Sequence, residues 1–172
     1  MDRIEEASPV TEEAAGLDFE AFFRAEYPRL VRTLFLLGAD PTEAEDMAQE
    51  ALARAYERWP RIQTMASPGG YVFRIALNLN RHRLRRLATR ARRALDRERD
   101  RDQISHAELR TDVSRALASL PAGQREAVVL VEWLQMTSEE AGAVLRLSPA
   151  SVRSRIHRAR EVLKTRLENL GA

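Results

Sequence analysis

The sequence contains no cysteine. Disulfides, thiolate nucleophiles and cysteine-ligated zinc are therefore excluded, and a reducing compartment is compatible with that composition. Histidine occurs three times, as His82, His106 and His157, without metal-ligand spacing. No metal and no cofactor are expected. Glycine and proline number seven each, so long stretches run without a breaker. No apolar run approaches the roughly 20 residues that span a bilayer, and the acidic beginning has no basic-then-apolar leader pattern. A cytoplasmic chain without membrane insertion is the expectation. A phosphate-binding glycine loop, a histidine–carboxylate pair at catalytic spacing and a nucleophile motif are all missing. An enzyme is therefore the least attractive class, and no catalytic residue is assigned.

What is present favours helix. Alanine, leucine, arginine and glutamate dominate, and these side chains lose little freedom in a helix. Hydrophobic residues make up 44% and charged residues 31% of the 172 positions, enough for a folded chain with one or two small cores. No segment alternates with period two, so no sheet is expected. The fold class is all-α: two small helical domains joined by a charged linker, the second containing a helix-turn-helix.

The net charge is only +2, but its layout is uneven. Residues 1–20 hold seven acids against Arg3. Residues 81–101 hold ten arginines against Asp96, Glu98 and Asp100. Residues 146–166 hold seven basic side chains against Glu161. Two separated basic blocks suit two contacts with a polyanion; solvated helix faces are the plainer explanation of either block alone.

Residues 1–16 read as a flexible acidic tail. A domain is expected over 17–88. Asp18 can cap a first helix carrying Phe19, Phe22 and Phe23, and Pro28 is expected to break or restart it. Asp40, Pro41 and Glu43 then form a helix-start signal. Ala44, Met47, Ala48, Ala51, Leu52, Ala55, Tyr56 and Trp59 recur as one stripe, opposite Glu43, Glu45, Asp46, Gln49, Glu50 and Glu57. A loop is expected over 60–67. Ser67-Pro68 open a helix with Val72, Ile75, Ala76 and Leu79 inward. Its end is placed near residue 88, although no glycine or proline marks it. Residues 89–107 read as the linker, and 108–172 as the second domain. There Leu109, Val113, Ala116, Leu117 and Leu120 form one apolar pattern. After Pro121, Val128, Val129, Val131 and Leu134 form another.

Residues 138–160 have the proportions of a helix-turn-helix: a short supporting helix, a tight turn and a helix able to enter the major groove. Thr137 and Glu140 form a capping box, and Ala141, Val144 and Leu145 are the short helix's inner side. Ser148-Pro149 start the long helix, whose core stripe is Val152, Ile156, Ala159 and Leu163. Ser151, Ser154, His157 and Arg158 point the other way and are the candidates for base edges. Arg153, Arg155 and Arg160 flank the stripe, as phosphate-reaching arms would. A basic amphipathic helix in an ordinary bundle is the plainer alternative.

The segment Leu120 to Arg160 resembles the C-terminal promoter-reading domain of extracytoplasmic-function (ECF) sigma factors of the sigma-70 family. It does so through Leu120-Pro121 with Arg125-Glu126, the Thr137-to-Glu140 start and the Val152-to-Arg160 string. Asp18 to Arg86 is similar to that family's N-terminal domain, through Ala44 to Glu50 with Ala55-Tyr56 and through Tyr71 to Asn78. The resemblance implies an alternative bacterial sigma factor that joins core RNA polymerase. Regions 2 and 4 would recognise the minus-ten and minus-thirty-five elements of promoter DNA. Asp46, Gln49 and Glu50 would dock on the clamp helices of the polymerase's largest subunit. Arg74, Asn78, Arg81, Arg83 and Arg85 would hold the opened minus-ten strand, with Tyr71 read as core rather than as a stacking platform. The second domain would also touch the polymerase flap, an anti-sigma factor is an expected partner, and no further C-terminal domain is expected.

Five positions depart from the family pattern. Arg146 stands where glycine is usual in the recognition turn, Ala141-Gly142 replace a bulky residue and alanine, and Leu77 and His82 stand where a basic and an acidic residue are common. Two other classes compete. A helix-turn-helix regulator acting without polymerase explains residues 110–170 but not the acidic face or the first basic block. A protein-binding helical adaptor predicts no salt-sensitive DNA association. The promoter sequence, the inducing signal and the packing of the two domains are not legible.

Overall fold

Asp18 starts the first described element by accepting the backbone N–H groups of Glu20 and Ala21 with its carboxylate. The structure, a computed structural model, describes residues 18–95 and 112–170. The expected tail and most of the expected linker lie outside these residues. Helices in chain order are α1 (Phe19–Leu36), α2 (Pro41–Tyr56), α3 (Trp59–Ile62), α4 (Pro68–Leu95), α5 (Asp112–Ala118), α6 (Ala122–Val128), α7 (Ser138–Leu145) and α8 (Pro149–Leu170). A π-helical turn, Val129–Trp133, prolongs α6. Among the described residues there is no strand, and no helix is long and apolar enough to cross a membrane.

The front bundle is α1, α2 and α4, with α3 closing one end. Pro41 occupies the first turn of α2, while Asp40 and Glu43 exchange capping hydrogen bonds. Leu30, Leu34, Ala44, Ala48, Leu52, Val72, Phe73 and Ala76 fill the interior. Each large aliphatic or aromatic side chain buried there contributes about 1.5–3 kcal/mol. The alanines of α2 let its backbone lie close to its neighbours. Trp59 joins this core through Phe19 and Phe22, at ring separations of 5.0 and 4.8 Å.

The rear bundle is α6, α7 and α8. Ala127, Leu130, Ala141, Leu145, Val152, Ile156 and Ala159 meet in its centre. The two bundles pack on each other, α4 against α7 and α1 against α5. Arg32 adds a cationic contact to the Trp133 ring, 5.4 Å from its centroid.

Four local expectations need correction. α1 runs unbroken through Pro28; packing of its apolar side outweighs one lost backbone hydrogen bond. The segment 60–67 is not all loop, because Trp59–Ile62 make one helical turn. α4 continues past residue 88 to Leu95, as a breaker-free stretch allows. In α5 Ser114 is buried together with the expected Leu117, whereas Val113 is 55% exposed; Leu109 lies outside the described residues.

Candidate nucleic-acid interface

The recognition turn is built by capping at both ends. Thr137 and Glu140 form the capping box of α7. Ser148 accepts the N–H of Ser151 and shares a 2.8 Å hydroxyl contact with that side chain. Between them Arg146 takes the left-handed conformation, φ 59° and ψ 49°. That conformation favours glycine and costs a side-chain-bearing residue about 1–2 kcal/mol. Gly142 has the opposite need. A Cβ built there would stand 2.7 Å from the Leu147 carbonyl oxygen, so the chain can re-enter α8 only because position 142 lacks a side chain.

On α8, Val152, Ile156 and Ala159 are buried and Leu163 is half-buried. Ser151, Arg153, Ser154, His157, Arg158 and Arg160 are exposed. Arg155 differs from the rest. It is half-buried and reaches back to donate to the Gly123 carbonyl, 3.4 Å away. Arg160 pairs with Glu132 at 2.6 Å, and Arg153 approaches Glu139 at 4.0 Å. Such exposed pairs contribute at most about 1 kcal/mol and yield readily to a stronger anion.

The candidates on α4 separate into four environments. Asn78 and Arg85 are exposed. Arg74 lines a cleft between the bundles, and its Nε is buried without a hydrogen-bond partner. Arg81 forms a forked pair with Glu126 of α6, Nε to Oε1 at 2.7 Å and Nη2 to Oε2 at 2.6 Å. The Glu126 carboxylate pushes the Arg81 pKa above its ordinary value. Arg83 points into the front bundle. It pairs with Glu43 and donates to the Gly38 carbonyl. Leu77, at a position where the family often has a basic residue, is buried.

The acidic candidates Asp46, Gln49 and Glu50 are all exposed on α2, and Glu50 pairs with Arg54 one turn on. Sequence patterning missed Glu126, which is buried beneath its pair with Arg81. Its only signal was its place in the Arg125-Glu126 string. Among the described residues no cluster of three or more histidine, aspartate and glutamate side chains could hold a metal ion.

Each bundle matches a family model of its own. The family described as Sigma-70 region 2 matches residues 22–90, and Sigma-70, region 4 matches residues 110–163. The chain belongs to the sigma-70 family of RNA polymerase sigma factors. Within that family it is an ECF sigma factor. It is 35% identical to an RNA polymerase sigma-E factor of Streptomyces antibioticus, over 88% of this chain and 86% of that one. It is 31% identical to the ECF RNA polymerase sigma factor SigC of Mycobacterium tuberculosis, over 86% of this chain and 82% of the relative. Among solved structures, CnrH in complex with the cytosolic domain of CnrY is 29% identical with a TM-score of 0.63, covering 88% of each chain. The sigma factor RpoE of Bartonella quintana, solved with the anti-sigma factor NepR, shares the fold. Its TM-score is 0.69 at 24% identity, covering 88% of this chain and 97% of that one.

Proposed function

We propose that this chain directs promoter-specific initiation by a division of labour between its bundles. The front one grips core RNA polymerase through Asp46, Gln49 and Glu50 and holds the opened minus-ten strand with α4. The rear one lays α8 in the duplex at the minus-thirty-five element. The carrying observation is the solvent-facing row Ser151, Ser154, His157 and Arg158 on a helix whose opposite side buries Val152, Ile156 and Ala159. Arginine on such a face can read guanine through two parallel hydrogen bonds, and the flanking cations hold phosphate. In the front half, Arg74 is half-buried and lines the cleft between the bundles, where a guanidinium can meet phosphate.

The chain does no bond chemistry of its own and works in the cytoplasm, where polymerase is found. Its partners are core polymerase, through the largest-subunit clamp helices and the flap, promoter DNA, and an anti-sigma factor, as NepR is for RpoE. The acidic face of α2 supports the first contact, since charge complementarity speeds and orients association. A regulator acting without polymerase leaves that face unused.

Run-off transcription with purified core polymerase and a promoter library tests this function. The unaltered chain should select a defined promoter set. Asp46→Lys with Glu50→Lys should abolish capture by core polymerase, and retained capture would reject the docking face. Specific operator binding with no polymerase-dependent transcription would reject the function as a whole.

A further inference from the structure

Among the described residues, two non-glycine residues hold a positive φ, Gln135 at 58° and Arg146 at 59°. The first is used inside the fold, where the Gln135 side chain donates to the Glu132 carbonyl at 2.6 Å. Arg146 has no such use. Its side chain is exposed, and no described residue offers it a hydrogen bond or an ion pair. Three other arginines of the module are engaged. Arg153 faces Glu139, Arg155 donates to the Gly123 carbonyl and Arg160 pairs with Glu132. Arg146 therefore combines a strained backbone with an uncommitted cation. Strain that no internal contact offsets points to use in binding.

Arg146 follows the last residue of α7, and α8 begins three residues on, at Pro149. The main chain turns tightly here, with the Leu147 N–H bonded to the Gly142 carbonyl at 2.9 Å. Ser148, Ala150 and Ser151 are exposed at this same end of α8, and Ser151 opens the base-facing row. The turn thus stands beside the groove that this row would enter, and the wall of a groove is a line of phosphates.

We propose that Arg146 is a further DNA-contacting residue, its guanidinium taking a backbone phosphate at the edge of the groove that α8 enters. This rests on the assignment of α8 to the minus-thirty-five duplex. Arginine grips phosphate through two parallel N–H groups, and such a contact adds affinity without sequence information. Glycine at position 146 would suit the backbone and forfeit the contact. A cation just past α7 also meets the negative end of that helix. That attraction acts with or without DNA, so it does not change how promoter binding responds to salt.

The test titrates holoenzyme, assembled from purified core polymerase and the full chain, against a promoter fragment taken from the run-off selection. Binding is measured over a series of potassium chloride concentrations. Arg146→Gly should weaken it about three- to tenfold and lower the log–log salt slope by about one. Arg146→Asn should do the same, since asparagine tolerates the left-handed backbone yet carries no charge. Arg146→Lys should keep the slope, because the charge remains. The promoters selected from the library should be the same for all three variants.

Unchanged affinity and slope in Arg146→Gly and Arg146→Asn would overturn the contact. A slope lowered equally in Arg146→Lys would overturn it too, as would a shifted promoter set, which belongs to base reading. Failure of the underlying α8 assignment looks different: Arg158→Ala then also leaves run-off product undiminished, and the contact is rejected with it. Where Arg158→Ala cuts that product while the Arg146 variants change nothing, the contact alone fails.

Discussion

The Arg83 guanidinium lies 2.5 Å from the Glu43 carboxylate, and the Arg83 side chain is 13% exposed. The pair ties the middle of α4 to the first turn of α2, whose capping box already uses Glu43. This arginine belongs to a basic run that suggests nucleic-acid contact, yet its place is inside the bundle. Replacing Arg83 by methionine keeps most of the stem but removes the pair. The expected loss is about 1–3 kcal/mol, read as a lower urea midpoint. An unchanged midpoint would return Arg83 to the surface cations.

The same pair gives a dependence on acidity. The hydrogen bond from Arg83 holds the Glu43 carboxyl below its usual value. Its contribution is therefore present above the ordinary carboxylate range and is lost as pH falls through the lowered folded value. Glu26 behaves oppositely. Burial raises its pKa against the attraction of Arg29. Between the ordinary and raised values the folded state holds more protons, so Glu26 makes stability fall as pH rises through that window. Glu26→Gln should remove this decline from a plot of urea midpoint against pH. A decline of the same slope in the variant would assign it to another group.

Gly142 and Arg146 reverse what helix propensity and family habit suggest. Gly142→Ala should destabilise by about 1–3 kcal/mol although alanine is the better helix former, because the Leu147 carbonyl occupies the added methyl's space. Arg146→Gly should stabilise by about 1 kcal/mol by relieving the left-handed strain. Thermal unfolding of the two variants checks both signs.

Arg155 and Arg158 separate support from recognition on one helix. Arg158→Ala should cut promoter-directed run-off product while leaving the melting temperature and polymerase capture unchanged, since its side chain is exposed. Arg155→Ala should lower stability by about 0.5–1.5 kcal/mol through its lost bond to Gly123. Equal output from Arg158→Ala would remove that residue from base recognition.

Much of this arrangement is legible in the residues. The capping boxes at Asp40 and Thr137, the α2 stripe apart from Tyr56, which is exposed, and the inward side of α8 follow from short-range spacing, which local hydrogen bonding and periodicity govern. The misses are long-range or permissive. Pro28 stays within α1 because packing decides against a local preference. Glu126 reads as surface charge until Arg81 is brought to it from 45 residues away. Arg83 and Arg155 look like their exposed neighbours in the same basic runs, since charge patterning carries no information about which cation folds inward.

The helices flanking the junction end at Leu95 and resume at Asp112, which leaves sixteen residues, 96–111, between them. Whatever their path, sixteen residues reach at most about 56 Å when fully extended. Because one chain carries both bundles, each meets the other at a high local concentration, and their contact is a first-order event that dilution of the protein cannot suppress.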